Sequence, residues 1–314
     1  MPISARSVLP AVLLAAWTAA ALHAQVASVS VPAWIEEDSC VPTPRFAATL
    51  NGKPAPVTTQ LGPASDQMIL VVLDLTGDLP VVDAAKQALI AQITKLPANG
   101  WVGLFRDEDG LHVLADPGPN RQPVIDAIRS LTNNGEPGLL ETVHSALSLA
   151  DAIMRKSPVR VSVLYITDSN IYSYREDYTN PVINESDPHD LSRRLPGELI
   201  EEKVAKLVGD DGALEAPLFV VHLKYRGDRL NEVYQSGLGT LAEATGGKAD
   251  VCRSIAEIPD SIAAMFARIS SAWRVTLAVP PKTREDVQVR LSAPCGSGEP
   301  RLSWRTHVHL LQGG

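Results

Sequence analysis

The chain has 314 residues, of which 45% are hydrophobic and 20% charged, a balance typical of a folded protein rather than a disordered one. Its formal net charge at pH 7 is −8, and no stretch of the sequence is rich in lysine and arginine. Because binding to nucleic acid needs clustered positive charge, this composition argues against a nucleic-acid partner.

Residues 1–24 have the features of a secretory signal peptide. Arg6 supplies a positive charge, residues 8–22 are almost wholly apolar, and the bond between Ala24 and Gln25 is a candidate cleavage point. The apolar run is too short for a membrane span and no stop-transfer pattern follows it. We therefore predict an exported protein, secreted or periplasmic, with no membrane span after cleavage; an uncleaved N-terminal anchor is the alternative.

Residues 25–66 are predicted to form an N-terminal β segment. The stretch 45–57 has the pattern of a β-hairpin, with Asn51 and Gly52 as its turn.

The next stretch, Met68–Asp74, is an apolar run that ends in an aspartate, as expected for a strand buried on both faces of a parallel sheet. Residues 79–95 carry apolar side chains at helical spacing. The loop between them holds Asp74, Thr76 and Asp78, and three oxygen side chains on one short turn suit a hard divalent cation. Capping of the following helix by Asp74 is the alternative.

Strands and helices then alternate, which predicts an α/β domain over residues 67–271. Two short strands, 100–105 and 110–115, are joined by the acidic turn 106–109, which we expect to be solvated. The remaining elements are strands over 159–168 and 216–223, the latter with His222 as a core residue, and helices over 120–131, 139–154, 197–208, 230–245 and 255–270.

Two further loops of this domain carry carboxylates. Glu136 lies in a glycine-containing turn directly before the helix that runs to Met154, and Asp168 ends the strand 159–168. Because the carboxyl ends of parallel strands share one edge of a sheet, Asp74 and Asp168 are expected to converge there.

These motifs resemble the metal-site motifs of the von Willebrand factor type A family. The family's first motif is an Asp-x-Ser-x-Ser turn after the first strand, where this chain has Asp74, Thr76 and Asp78. The second loop usually carries threonine where Glu136 stands. The third motif is a Thr-Asp-Gly ending, for which the chain has Thr167-Asp168-Ser169.

Two other features resemble this family. The run 241–247, Leu-Ala-Glu-Ala-Thr-Gly-Gly, is similar to the family's L-A-x-x-T-G-G helix end. The order of segments, with β structure before and after the α/β domain, resembles that of exported bacterial members. The resemblance implies a doubly wound, mostly parallel, Rossmann-like sheet.

The resemblance also implies a site and a partner. A divalent cation, Mg²⁺ or Ca²⁺, would be held by five residues, with a carboxylate of a partner protein completing the coordination shell; the five are Asp74, Thr76, Asp78, Glu136 and Asp168. Asp78 and Glu136 replace hydroxyl residues of the family pattern, so the site is a degenerate form of it.

Residues 170–196 form a long polar insertion directly after Asp168. Loops of this length in a compact domain are usually functional or disordered. The insertion contains Tyr172, Tyr174, Arg175 and Tyr178, and tyrosine and arginine are enriched at binding hot spots. We predict that these four residues bind a partner protein; a loop without a partner is the alternative.

Residues 272–314 change to an alternating pattern, with strands predicted over 273–279, 286–292 and 301–309. They are expected to pair with the N-terminal β segment in a small β-sandwich. In the last of these strands Arg305 is expected to share a solvent-exposed face with His307 and His309.

The chain has three cysteines, Cys40, Cys252 and Cys295. In an oxidising compartment either Cys40 or Cys252 could form a disulfide with Cys295. Three unpaired thiols are the alternative.

The sequence supports three functional hypotheses. The chain contains no G-x-S-x-G, P-loop or G-x-G-x-x-G motif, so the first is a secreted, non-catalytic protein-binding module with a degenerate cation site. The second is the same fold without a metal, binding through residues 170–196. The third is a hydrolase that uses Asp74 and Asp168.

Overall fold

The structure is a computed structural model that describes residues 27–36, 44–75, 77, 79–107, 110–132, 139–170, 197–294 and 300–310. The predicted signal peptide lies outside these residues. Among the helices described, none is long and apolar enough to cross a membrane.

A six-stranded sheet forms the centre of the α/β region, in the order β10-β9-β8-β5-β6-β7. All neighbouring pairs are parallel except the antiparallel pair of β6 and β7. The order reverses between β5 and β8, which are neighbours although two strands separate them in the chain. The strands are β5 (Gln67–Asp74), β6 (Gly100–Asp107), β7 (Leu111–Gly118), β8 (Arg160–Thr167), β9 (Leu218–His222) and β10 (Lys248–Val251).

Helices cover both faces of this sheet, so the predicted doubly wound α/β architecture is confirmed. Every residue of β5 and of β8 is buried, and alternate residues of β5 enter two separate hydrophobic cores. One face packs on α1 (Leu79–Lys95), α2 (Gln122–Ser130) and α6 (Ile258–Ser270). The other packs on α3 (Leu139–Lys156), α4 (Gly197–Asp211) and α5 (Arg229–Ala244).

The N- and C-terminal segments together form two antiparallel sheets around a third core, which confirms the predicted sandwich-like unit. The sheets have the orders β13-β1-β11-β4 and β14-β12-β2-β3. Asn51 and Gly52 form the predicted hairpin turn, with φ of 50° and 77°. The strands are β1 (Ser28–Ile35), β2 (Ala47–Leu50), β3 (Lys53–Ala55), β4 (Val57–Leu61), β11 (Trp273–Ala278), β12 (Asp286–Ser292), β13 (Leu302–Trp304) and β14 (His307–His309).

The prediction of one strand over 301–309 is wrong. Its two halves belong to different sheets, because β13 pairs with β1 and β14 pairs with β12. Arg305 lies at the break and is only 4% exposed, so it does not share a solvent face with the two histidines. Its guanidinium donates to the carbonyls of Gly212 and Leu214, just after α4.

Two other arginines, one buried and one partly buried, also join the sandwich to the α/β region. Arg160 of β8 donates to the carbonyl of Ala272 over 2.8 Å and to that of Pro63 over 3.2 Å. Arg274 of β11 donates to the carbonyl of Val159 over 3.0 Å. Burial lowers the pKa of Arg160 and of Arg305 to about 10, which leaves both charged at neutral pH.

Cys252 follows β10 as a free thiol that is 1% exposed. The pairing of Cys252 with Cys295 is therefore wrong, because this thiol packs into the core beneath α1 and α6. Burial raises its pKa to about 11. Cys40 and Cys295 lie outside the described residues.

We expect Arg305→Lys to lower the free energy of unfolding by about 2–4 kcal/mol. The guanidinium donates to several carbonyls at once, which a lysine ammonium cannot do, so the substitution leaves buried carbonyl oxygens without a donor. Urea denaturation measures this change. Arg290→Lys, at an exposed arginine of β12, is the matched control and should stay within about 0.5 kcal/mol of the wild type. Equal stabilities of the two variants would contradict this role of Arg305.

We expect Cys252 to resist thiol reagents in the native protein, because it is buried and the thiolate is the reactive form. Peptide mapping after alkylation of native and of denatured protein measures its accessibility. In denaturant without reductant, labelling of Cys252 alone would indicate a Cys40–Cys295 bridge, and labelling of all three cysteines would indicate none. Native labelling of Cys252 as fast as in denaturant would contradict the expectation.

Candidate functional site

A row of buried polar side chains crosses the carboxyl edge of the central sheet. Asp74 of β5 is in register with Thr167 of β8, which is in register with His222 of β9. Asp107 ends β6. It follows Arg106, which is paired with Leu73 of β5, so Asp107 lies at the level of Asp74. All four are at most 4% exposed. The row thus spans the place where the strand order reverses, which is where open α/β sheets bind ligands.

The carboxylate of Asp74 is held by two hydroxyls from the end of β8. Thr167 and Ser169 donate to its Oδ2 over 2.8 and 2.7 Å. The N–H of Ser169 donates in turn to the hydroxyl of Thr167 over 3.0 Å. Hydrogen bonds to an ionised acceptor are stronger than neutral ones, so this arrangement fixes the position of Asp74.

Asp168 lies between these two hydroxyl residues and is 2% exposed. Its N–H donates to the carbonyl of Asp74 over 3.2 Å, and its Oδ2 accepts the N–H of Gly77 over 3.2 Å. The loops after β5 and β8 are therefore joined through both aspartates. The expected convergence of Asp74 and Asp168 is confirmed.

The other predicted site residues lie outside the described part of the chain. They are Thr76, Asp78 and Glu136 of the cation site, and Tyr172, Tyr174, Arg175 and Tyr178 of the insertion. Within the described residues, no group of three or more His, Cys, Asp or Glu side chains is arranged to hold a metal ion. The structure does provide two carboxylates beside two hydroxyls, an all-oxygen set of the kind that Mg²⁺ and Ca²⁺ prefer. Binding of a cation stays a prediction.

Asp107 is a buried residue that the sequence interpretation missed. We expected a solvated turn, but β6 extends to Asp107, whose Oδ2 accepts the hydroxyls of Thr142, at 2.6 Å, and of Tyr165. These contacts tie the start of α3 to β6, close in sequence to the loop that carries Glu136. The length of β6 could have predicted that Asp107 is buried, because a strand that runs parallel to β5 and ends level with it brings Asp107 next to Asp74.

His222 is a core histidine, as predicted. Its Nε2–H donates to the carbonyl of Ser169 over 2.9 Å, and its Nδ1 accepts the N–H of Lys224 over 3.4 Å. Burial lowers its pKa to about 4, so the imidazole is neutral at physiological pH. The neutral ring thereby supports the backbone of the residue that binds Asp74.

A serine, a histidine and an aspartate also meet on the outer surface of α3 and α4. Nδ1 of His144 is 2.6 Å from the buried Oδ1 of Asp211, and its Nε2 is 3.4 Å from the hydroxyl of Ser148. Acyl transfer also requires donors for an oxyanion. The N–H groups around Ser148 are used within helix α3, so the helix itself offers no oxyanion donors there.

No protein-family model and no curated protein sequence matches this chain. Among solved structures it is similar to a von Willebrand factor type A protein from Catenulispora acidiphila, with 13% identity and a TM-score of 0.44 over 90% of this chain and 72% of that one. It is also similar to a mutant of the PilB minor pilin from Streptococcus sanguinis, with 9% identity and a TM-score of 0.48 over 78% of each chain.

A third similar structure is the vWF domain of a type V pili tip protein from Porphyromonas gingivalis, with 12% identity and a TM-score of 0.43 over 65% of this chain and 95% of that one. The structural neighbours thus include von Willebrand factor type A domains. At these identities and TM-scores the likeness concerns architecture alone.

We expect His222 to make stability depend on pH. Its pKa is about 4 in the folded protein against 6.5 for an ordinary histidine, so the unfolded state binds the proton first. The contribution is complete above pH 6.5 and is lost as the pH falls towards 4. A shift of this size corresponds to about 3 kcal/mol. His222→Gln should flatten the change over that range, measured by urea denaturation at a series of pH values.

The control for this prediction is His112→Gln, at an exposed histidine of β7, which should keep the wild-type pH dependence. A His222→Gln variant with an unchanged slope would show that other groups set the acid sensitivity.

Proposed function

We propose that this protein is an exported, non-catalytic protein-binding module whose binding face is the carboxyl edge of the central sheet. The observation that supports this most is the joining of Asp74 and Asp168 where the strand order reverses, since parallel sheets present their ligand sites there. The apolar N-terminal stretch and its candidate cleavage point support export to an extracytoplasmic compartment.

In this proposal a divalent cation, Mg²⁺ or Ca²⁺, binds at the edge. Asp74 and Asp168 would hold it together with Thr76, Asp78 and Glu136. When bound, the cation would offer a coordination position to a carboxylate of a partner protein. The hydroxyls of Thr167 and Ser169 orient Asp74. Each close pair of carboxylates in such a set repels by about 1–4 kcal/mol in a surface-like dielectric, a cost that a cation offsets.

A second candidate is the same binding module without a metal. One observation favours it: Thr167 and Ser169 already supply Asp74 with two hydrogen-bond donors, so this carboxylate is stabilised by the protein itself. Asp74 would then have a structural role. Recognition would fall to the insertion at residues 170–196, with Tyr172, Tyr174, Arg175 and Tyr178.

Thermal unfolding in EDTA and in millimolar Mg²⁺, Ca²⁺ or Mn²⁺ separates the two candidates. A cation at about 100 times its Kd should stabilise the wild type by roughly 2.7 kcal/mol, and Asp74→Asn should abolish this gain. The matched control is Asp116→Asn, at an exposed aspartate of β7 that is not one of the predicted site residues. This variant should respond to the cation as the wild type does.

The metal-free candidate makes a different prediction for the same variants. Asp74→Asn should then cost about 1–3 kcal/mol through weakened hydrogen bonds, equally in EDTA and in cation. No response of the wild type to any of the three cations would reject the metal site.

A further inference from the structure

The loops after β9 and β10 carry exposed apolar and arginine side chains at the same sheet edge as Asp168. Tyr225 is 41% and Ile255 47% exposed, and the guanidinium of Arg253 lies over the ring of Tyr225, 5.5 Å from its centroid. We propose that Tyr225, Arg226, Arg253 and Ile255, here called the arginine–tyrosine surface, bind an acidic protein segment that carries an apolar side chain. This inference rests on the proposed function, because it specifies the partner of that binding face.

The surface is held in one conformation by hydrogen bonds. The N–H of Tyr225 donates to the carbonyl of Cys252 over 2.7 Å, which joins the two loops. The amide of Gln235 binds both backbone groups of Arg226, accepting its N–H over 3.1 Å and donating to its carbonyl over 2.8 Å. A loop that is already ordered loses little entropy on binding, which favours affinity.

Three carboxylates around this surface already accept hydrogen bonds within the protein. Asp228 accepts the N–H of Asn231 as the N-cap of α5, and Glu232 accepts the hydroxyl of Tyr225. Glu257 accepts the N–H of Arg253 and the hydroxyl of Ser254.

The two guanidinium groups, in contrast, have no carboxylate at ion-pair distance in the part of the chain that the structure describes. Nε of Arg226 is buried there without a hydrogen-bond partner. Both guanidinium groups therefore have donors to offer to a carboxylate from another molecule. An acidic segment would compensate them.

Arg226 connects this surface to the site of the two aspartates. It lies near enough to His222 to lower the pKa of that histidine, while Asp168 acts on the same ring with the opposite sign. β9 ends at His222, whose Nε2–H donates to the carbonyl of Ser169, so the loop that carries Arg226 begins beside the residue that follows Asp168.

The side-chain chemistry indicates the kind of partner. Guanidinium groups bind carboxylates in a two-pronged geometry, and tyrosine and arginine dominate binding hot spots. Tyr225 and Ile255 add apolar area beside that charge. A nucleic acid would present anions as well, but a strongly acidic chain repels a long polyanion, so an acidic protein segment fits better.

The test is selection of a random peptide library displayed on phage against the immobilised full chain, in EDTA and, separately, in Mg²⁺. We expect enrichment in both buffers of peptides that place Asp or Glu next to an aromatic or aliphatic residue. A synthetic peptide of the enriched sequence, labelled with fluorescein, is then titrated by fluorescence polarisation. Arg253→Glu and Tyr225→Ala should each weaken its binding about tenfold or more.

Controls separate charge at this surface from charge elsewhere. Arg290→Glu, an equal charge change at an exposed arginine of the sandwich, should leave the affinity within about twofold, since screened charges act over roughly 10 Å. Arg253→Gln removes the charge without reversing it and should lie between wild type and Arg253→Glu.

The outcomes distinguish this inference from the proposed function. Binding that needs Mg²⁺ and Asp74 but is indifferent to Arg253 would overturn the inference and leave the cation site standing. Binding in EDTA that needs Arg253 would support the inference, and the thermal unfolding experiment would decide on the cation site separately. Enriched peptides without acidic residues, or no enrichment over uncoated support, would overturn the inference.

Discussion

The parallel pairing of β5 with β8 is the constraint on which the site depends. Both strands are buried along their whole length, which fixes their register through the side chains that enter the two cores. That register brings Asp74 next to Thr167, so that Ser169 reaches its carboxylate and Asp168 reaches its carbonyl. A shift by one residue would move each side chain of β5 from its own core into the opposite one and disrupt the packing of both, so packing protects the position of the two aspartates.

A second constraint acts where the sandwich meets the α/β region. Arg160, Arg274 and Arg305 donate to carbonyls of residues that lie between secondary-structure elements. A buried guanidinium is costly to desolvate, and it is retained only where several acceptors converge on it. These contacts join the segments before and after the α/β region to it.

The sequence predicted the features that local patterns determine. Continuous apolar runs indicated β5 and β8, alternation indicated the sandwich strands, and Asn51-Gly52 indicated a hairpin. It failed where a polar residue is buried by partners distant in the chain. Asp107 is buried by Thr142 and Tyr165, and Arg305 by carbonyls near residue 213, so nothing close to either in sequence distinguishes it from a solvated charge. The convergence of Asp74 and Asp168 was predictable because both residues follow the carboxyl ends of strands, and parallel strands of one sheet end at the same edge.

The carboxyl edge combines buried negative groups with exposed positive ones, and the difference matters for recognition. Asp74 and Asp168 lie beneath the surface and cannot by themselves attract an acidic partner to a chain with a net charge of −8. In the loops after β9 and β10, Arg253 is exposed and Arg226 is partly exposed. A cation at the aspartates would act in the same direction as these arginines, although by coordination rather than by ion pairing. Two physically separate features of one edge therefore favour the same ligand group, a carboxylate.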